Sequence, residues 1–176
     1  MWRGDAEGAA TPTFRLSGMT DALPARSRLV AATLAEAGIT GQIIVLPDAA
    51  STAALAAAAL DIEVGAIANS LVFWSDDEPL LVMTSGAHRV DTAALAERLD
   101  RGSIRRATPD QVLAATGQPI GGVAPTGHPA PLTTIVDEDL ALFPQIWAAG
   151  GTPHTVFPLT FDDLVRLTGG TVAKVS

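Results

Sequence analysis

Two apolar runs, GAIANSLVFW at 65–74 and LLVMT at 80–84, are separated only by Ser75-Asp76-Asp77-Glu78-Pro79. Short apolar runs rich in Ile, Leu, Val and aromatics, joined by a polar turn, predict a β-hairpin whose strands are largely buried. One irregularity stands inside it. Asn69 and Ser70 interrupt the first run, although Asn is depleted from strands and resists burial without partners. On a strand Ile67, Asn69, Leu71 and Phe73 share one face, while Ala68, Ser70, Val72 and Trp74 share the other. An unpaired amide on the apolar face costs about 1–3 kcal/mol. Two readings follow: a core Asn tied to backbone groups, or an amide at a pocket rim placed to grip a polar ligand.

The remaining elements arrange themselves around that hairpin. Helical spacing runs over 24–37 and stops at Gly38; QIIVL at 42–46 predicts a strand; Ser51 or Thr52 caps an alanine-rich helix reaching Leu60. Asp91 caps a helix over 92–99. Thr108-Pro109-Asp110-Gln111 is a capping box opening a helix that Gly117 ends. The second half predicts strands at 120–124, 133–136, 145–149 and 155–159, a helix over 161–167 capped by Thr160, and a closing strand at 171–175. These elements do not alternate as regular βαβ units. They predict an α+β (mixed α/β) fold, a single domain built on a mixed sheet or partial barrel flanked by short helices. With 176 residues, 48% of them apolar, one domain over 21–176 is expected. Residues 1–20 read as a flexible N-terminal extension.

Composition narrows the chemistry. Cysteine is absent, which removes disulfides, thiolate nucleophiles and cysteine metal sites. His88, His128 and His154 are widely spaced, with no HxxxH or HExxH pattern, so no metal is expected. There is no P-loop, GxGxxG or GxSxG elbow, and no cofactor is expected. The net charge of −8 argues against a protein that tracks duplex DNA or RNA, while recognition of a nucleic-acid end through a few contacts remains open. Lys174 is the only lysine among eleven Lys and Arg residues. No apolar run approaches the roughly 18 residues of a membrane span, and the N-terminus lacks a signal-peptide core; the expected location is the cytoplasm.

Three further features invite a functional reading. The paired glycines Gly121-Gly122, in PIGGVAPTGHP, could offer N–H groups to a carbonyl or developing oxyanion, or serve only a tight turn. Asp137 ends the apolar TTIV run as a carboxylate at a strand end, or as the cap of a short helix over 138–142. Gly150-Gly151 form a second glycine turn.

Taken in order, these motifs resemble the YbaK-type family of prolyl-tRNA-synthetase-associated editing domains and free-standing aminoacyl-tRNA deacylases. The landmarks are Thr52-x-x-x-Ala56, IANSLVF from Ile67, SGAHRVD from Ser85, GGVAPTGH from Gly121, TIVD from Thr134, AAGG from Ala148 and the terminal TGGTVAKVS. The resemblance implies a highly curved sheet and hydrolysis of the ester joining an amino acid to the 3′-terminal adenosine of a tRNA. It implies that the loop Gly121-Gly122-Val123-Ala124-Pro125 lines the aminoacyl pocket and holds the ester carbonyl with its backbone amides, that the terminal ribose hydroxyl helps position water, and that Asp137 lies near. Catalytic roles fall to Asn69, Gly121 and Gly122. Substrate contacts fall to Ile67, Ser70, Leu71, Ala124, Pro125, Gly127, His128, Asp137, Gly150 and Gly151. The partner implied is the 3′ end of an aminoacyl-tRNA, with a synthetase or elongation factor as candidate protein partners, and neither DNA nor membrane.

One position departs from the family pattern. Many active members carry Lys where this chain has Asn69. An amide offers two donors but no charge, and charge-assisted hydrogen bonds are about twice as strong. Lys174 could substitute only if the C-terminal strand returns to the pocket. A salt-sensitive contact with the acceptor end would draw on arginines such as Arg89, Arg101, Arg105 or Arg106, each of which also reads as a solvated surface charge. Two functions therefore stand: a trans-acting deacylase, and a non-catalytic module that uses the pocket to bind an amino acid or aminoacyl-nucleotide.

Overall fold

The structure, a computed structural model, describes residues 22–176. The extension expected over 1–20 lies outside the described residues. In chain order the elements are α1 (Ala25–Glu36), β1 (Ile44–Val45), α2 (Ala53–Leu60), β2 (Ile67–Ser75), β3 (Glu78–Ser85), α3 (Thr92–Arg98), β4 (Ile104–Arg106) and α4 (Pro109–Thr116). Then follow β5 (Thr133–Asp137), β6 (Ile146–Ala149), β7 (Thr155–Leu159), α5 (Phe161–Thr168) and β8 (Thr171–Ala173). A 3₁₀ turn at Val64–Ala66 leads into β2, and another at Glu138–Leu142 follows β5.

The hairpin organises the rest. Asp76 and Asp77 sit at φ 48° and 66°, two consecutive left-handed residues, the geometry that matches the twist of a two-residue hairpin. Asp tolerates that region better than most residues, and Asp76 Oδ2 also reaches beyond the turn to accept from Gly102 N–H at 3.1 Å. β2 and β3 then pair antiparallel from Ala68–Ser85 to Ser75–Glu78. The eight strands form one mixed, open sheet in the order β1-β7-β6-β2-β3-β5-β8, with β4 also beside β2. The β2–β6, β3–β5 and β5–β8 pairs are parallel.

Alternation along the hairpin builds a core on each face. Ala68, Val72, Leu81 and Met83 pack with Val30 and Leu34 of α1, Val112 of α4 and Leu164 of α5. Phe73, Leu80 and Val82 pack with Leu95 of α3, Ile104 and Ile135. LLVMT is continuous because β3 is covered on both sides. The mixed α/β single domain with short flanking helices expected from sequence is the one observed. Two details differ. Residues 120–124, expected as a strand, form a turn and loop, because Gly121 adopts φ +83° and leaves the extended region. β4, which sequence gave no reason to expect, is a short edge strand of Ile-Arg-Arg.

Candidate functional site

β3 occupies one edge of β2 throughout, so β6, beside Ile67 and Ala68, and β4, beside Phe73 to Ser75, must share the other. Between them the edge is uncovered. Ala107 N–H donates to the Val72 carbonyl at 3.2 Å, so Val72 turns its main chain to this edge. Alternation puts the N–H and C=O of Ser70 there as well, and among the described residues no strand lies beside them. The Ser70 hydroxyl points elsewhere, donating to Met83 Sδ at 3.2 Å.

A cavity of about 300 Å³ opens on this gap. Ile67, Asn69, Ser70, Leu71 and Gly121 all contribute to its wall. Asn69 is half-buried. The wall is completed by Ile120 and Val123 of the glycine loop, by Trp147 and Ala148 of β6, which flanks the gap, and by the start of α2. Among the described residues, Arg106 is the only charged one lining it.

The glycine loop is held from behind by residues that sequence reading passed over. Gln118, 2% exposed, accepts the Ala124 N–H on Oε1 at 2.7 Å and donates from Nε2 to the Thr126 carbonyl at 3.0 Å. Its own N–H donates to Thr116 Oγ1 at 3.0 Å. A single glutamine preceding a proline carries no motif, so only the fold reveals the clamp. Gly122 N–H donates to the Pro119 carbonyl at 3.0 Å, and its α-carbon abuts the next turn: an added Cβ would lie 2.5 Å from the Thr152 carbonyl carbon. The N–H groups of Gly121 and Val123 have no partner among the described residues, and both residues line the cavity.

The other expected site residues are distributed behind and beside this wall. Ala124 and Pro125 are buried in the loop. Gly127 and His128 border a second hollow, beside α1. His128 Nε2 lies 2.8 Å from the Ala124 carbonyl, an acceptor, so the ring carries its proton on that nitrogen. Burial holds His128 below its ordinary pKa of 6.5, against the smaller opposing pull of the Ala124 carbonyl. Gly150 N–H donates to the Thr155 carbonyl at 2.7 Å, and Gly151, at φ +106°, packs on α1.

Asp137 does not reach the cavity wall. It is 1% exposed, and its Oδ2 accepts from Ser85 N–H at 2.9 Å and Thr84 Oγ1 at 3.3 Å and meets His88 Nδ1 at 2.8 Å. Its Oδ1 caps the following 3₁₀ turn through Asp139 N–H at 3.1 Å. His88 Nε2 in turn lies 3.3 Å from Asp139 Oδ2. The carboxylate thus ties the end of β3 to the end of β5. Lys174 follows β8 at the far edge of the sheet, where its carbonyl accepts from Arg98, and it is not on the cavity wall. Of the arginines among the described residues, Arg106 alone reaches that wall; Arg101 pairs with Glu78 at 3.7 Å and Arg105 donates to Gln111 Oε1 at 3.3 Å.

A sequence profile of the aminoacyl-tRNA editing domain matches residues 47–167, spanning α2, the hairpin, the glycine loop and nearly all of α5. The chain belongs to the aminoacyl-tRNA editing domain family. A crystal structure titled as a candidate trans-editing enzyme for prolyl tRNA synthetase shares this editing domain's fold at TM-score 0.81 and 40% identity, over 88% of this chain and 98% of that one. The proline–tRNA ligase of Latilactobacillus sakei subsp. sakei (strain 23K) is 31% identical over 99 residues, 56% of this chain and 17% of the ligase. An uncharacterised protein of Bacillus subtilis (strain 168), YwhH, is 28% identical over 115 residues, 65% of this chain and 73% of that protein. The editing domain therefore matches only a small part of the ligase's length. No helix among its described residues is long and apolar enough to cross a membrane.

Proposed function

We propose that this protein is a trans-acting deacylase that hydrolyses the ester of a mischarged tRNA, working on the aminoacylated 3′ end in the cytoplasm. The observation that carries the reading is the meeting of Asn69, Ser70, Gly121 and Val123 on the wall of one cavity, with the main chain of Ser70 uncovered and the N–H groups of Gly121 and Val123 without a partner among the described residues. Preorganised N–H donors aimed at a carbonyl stabilise the oxyanion that forms when water attacks. Gly122, a donor by the sequence reading, already serves Pro119, so Val123 takes its place beside Gly121.

The rest of the wall fits this chemistry. Ser70 C=O is an acceptor suited to the substrate's ammonium group, and the Asn69 amide orients the ester or the terminal ribose. The lining hydroxyls of Ser51, Thr52, Thr152 and Thr155 have no histidine or carboxylate beside them on the wall. Serine or threonine without a general base is a weak nucleophile, so the reading assigns the positioning of water to the substrate's own ribose hydroxyl. Gln118 and His128 act on the loop rather than on the substrate, fixing the carbonyl and amide of Ala124.

The experiment is incubation with a panel of mischarged tRNAs. Ester loss above buffer hydrolysis is expected for at least one amino acid, and Asn69→Ala should lower kcat by about 100- to 1,000-fold, the range for removing one preorganised donor. Ester loss for none of them rejects the proposal in favour of the binding module that the missing lysine suggests. In that case Asn69→Lys should create activity.

A further inference from the structure

We propose that Arg106 is the anion-binding residue of this cavity and receives the phosphate next to the ligand's terminal nucleoside. The inference rests on the deacylase reading and extends it, because the position expected to supply a cation is occupied by the neutral Asn69.

The geometry supports the assignment from three directions. First, every other described residue lining the cavity is uncharged, so an anion brought there meets a single strong electrostatic feature among them. Second, Arg106 has neither an ion-pair partner nor a hydrogen bond among the described residues, and its side chain is exposed. Its neighbour Arg105 lies on the opposite face of the same strand and is engaged with Gln111. Third, Arg106 stands where the uncovered edge of β2 ends: it pairs with Phe73, and the next residue, Ala107, closes the gap on Val72. A ligand whose aminoacyl group lies along Ser70 and Gly121 must continue past one end of that gap, and Arg106 is the cation at this end.

Arginine suits the role. Its planar guanidinium offers two parallel donors to a phosphate, where lysine offers a point charge. In a chain of net charge −8, long-range steering of a polyanion is unfavourable, so a cation at the cavity mouth is where attraction must be supplied.

The test uses non-hydrolysable 3′-alanylamino- and 3′-serylamino-3′-deoxyadenosine, each with and without a 5′-phosphate, with binding to the whole protein followed by calorimetry. Wild type should bind the phosphorylated compound about tenfold more tightly. Arg106→Gln should reduce the two affinities to one value, Arg106→Lys should keep part of the difference, and Arg105→Gln should keep all of it. Equal affinity of wild type for the two compounds, or a phosphate preference that survives Arg106→Gln, overturns the assignment. If no compound binds wild type, the pocket reading itself falls, and the assignment with it.

Discussion

At the scale of single residues, the site depends on groups that never touch its cavity. His128 is one. Its depressed pKa means that the folded state binds fewer protons than the unfolded chain just below pH 6.5. Stability from this residue is therefore complete above about 6.5 and falls as pH drops toward the folded value. Melting temperatures of wild type and His128→Gln, measured from pH 7.5 to 5.5, should diverge: wild type loses more on acidification because glutamine does not titrate. Parallel curves would remove His128 from the account. Gln118 belongs to the same class, since truncating it would leave the Ala124 N–H and the Thr126 carbonyl unsatisfied in the interior. Asn69 was legible in the sequence because polarity on an apolar strand face is an anomaly, and Gly121 because of its pairing with Gly122. Gln118 was not, because a loop clamp has no local pattern, and Arg106 was one of four arginines that only the fold tells apart. Asp137 ends its strand as a carboxylate, and the fold gives it the capping bond that its alternative reading described together with strand-tying bonds that no local pattern announces.

At the scale of elements, capping chemistry was the most readable part of the chain. Thr52, Asp91, Thr108 and Thr160 each accept the backbone N–H three residues on. The box at Thr108 is reciprocal, with Gln111 Oε1 accepting Thr108 N–H at 3.0 Å. α4 carries Val112 to the cavity wall and ends on Thr116, whose hydroxyl supports Gln118. Thr108→Ala should cost about 1 kcal/mol, read as a lower denaturant midpoint at unchanged slope; Thr108→Ser should restore most of it. The strand expected at 120–124 was misread because Ile, Val and Ala suggest an extended run. Gly121 in the left-handed region and the turn bond from Gly122 to Pro119 override that preference. β4 went unseen because its two arginines stay exposed and only Ile104 is buried.

At the scale of the molecule, the sheet order explains how residues far apart in sequence meet. The hairpin, the loop after α4 and the strand β6 converge on one gap because β6 returns parallel to β2 while β4 approaches antiparallel. The charge balance, nineteen acids against eleven bases, bears on how a nucleic acid would bind. Contact with an acceptor end through one or two phosphates gives a slope of log affinity against log salt of about −0.7 to −1.4, at roughly −0.7 per single-strand phosphate. Binding of a mischarged tRNA from 50 to 200 mM salt should follow that shallow dependence. A slope steeper than about −4 would mean that the protein tracks the backbone broadly, against its overall charge.

The uncovered stretch of β2 has a length as well as a chemistry. From Asn69 to Leu71 it measures about 10 Å, at roughly 3.3 Å per residue, and β6 and β4 stand like doorposts at either end. An incoming polypeptide cannot lay down a new ladder in so short a doorway, so the hazard that bare strand margins usually carry, sticking to another protein's sheet, is designed out.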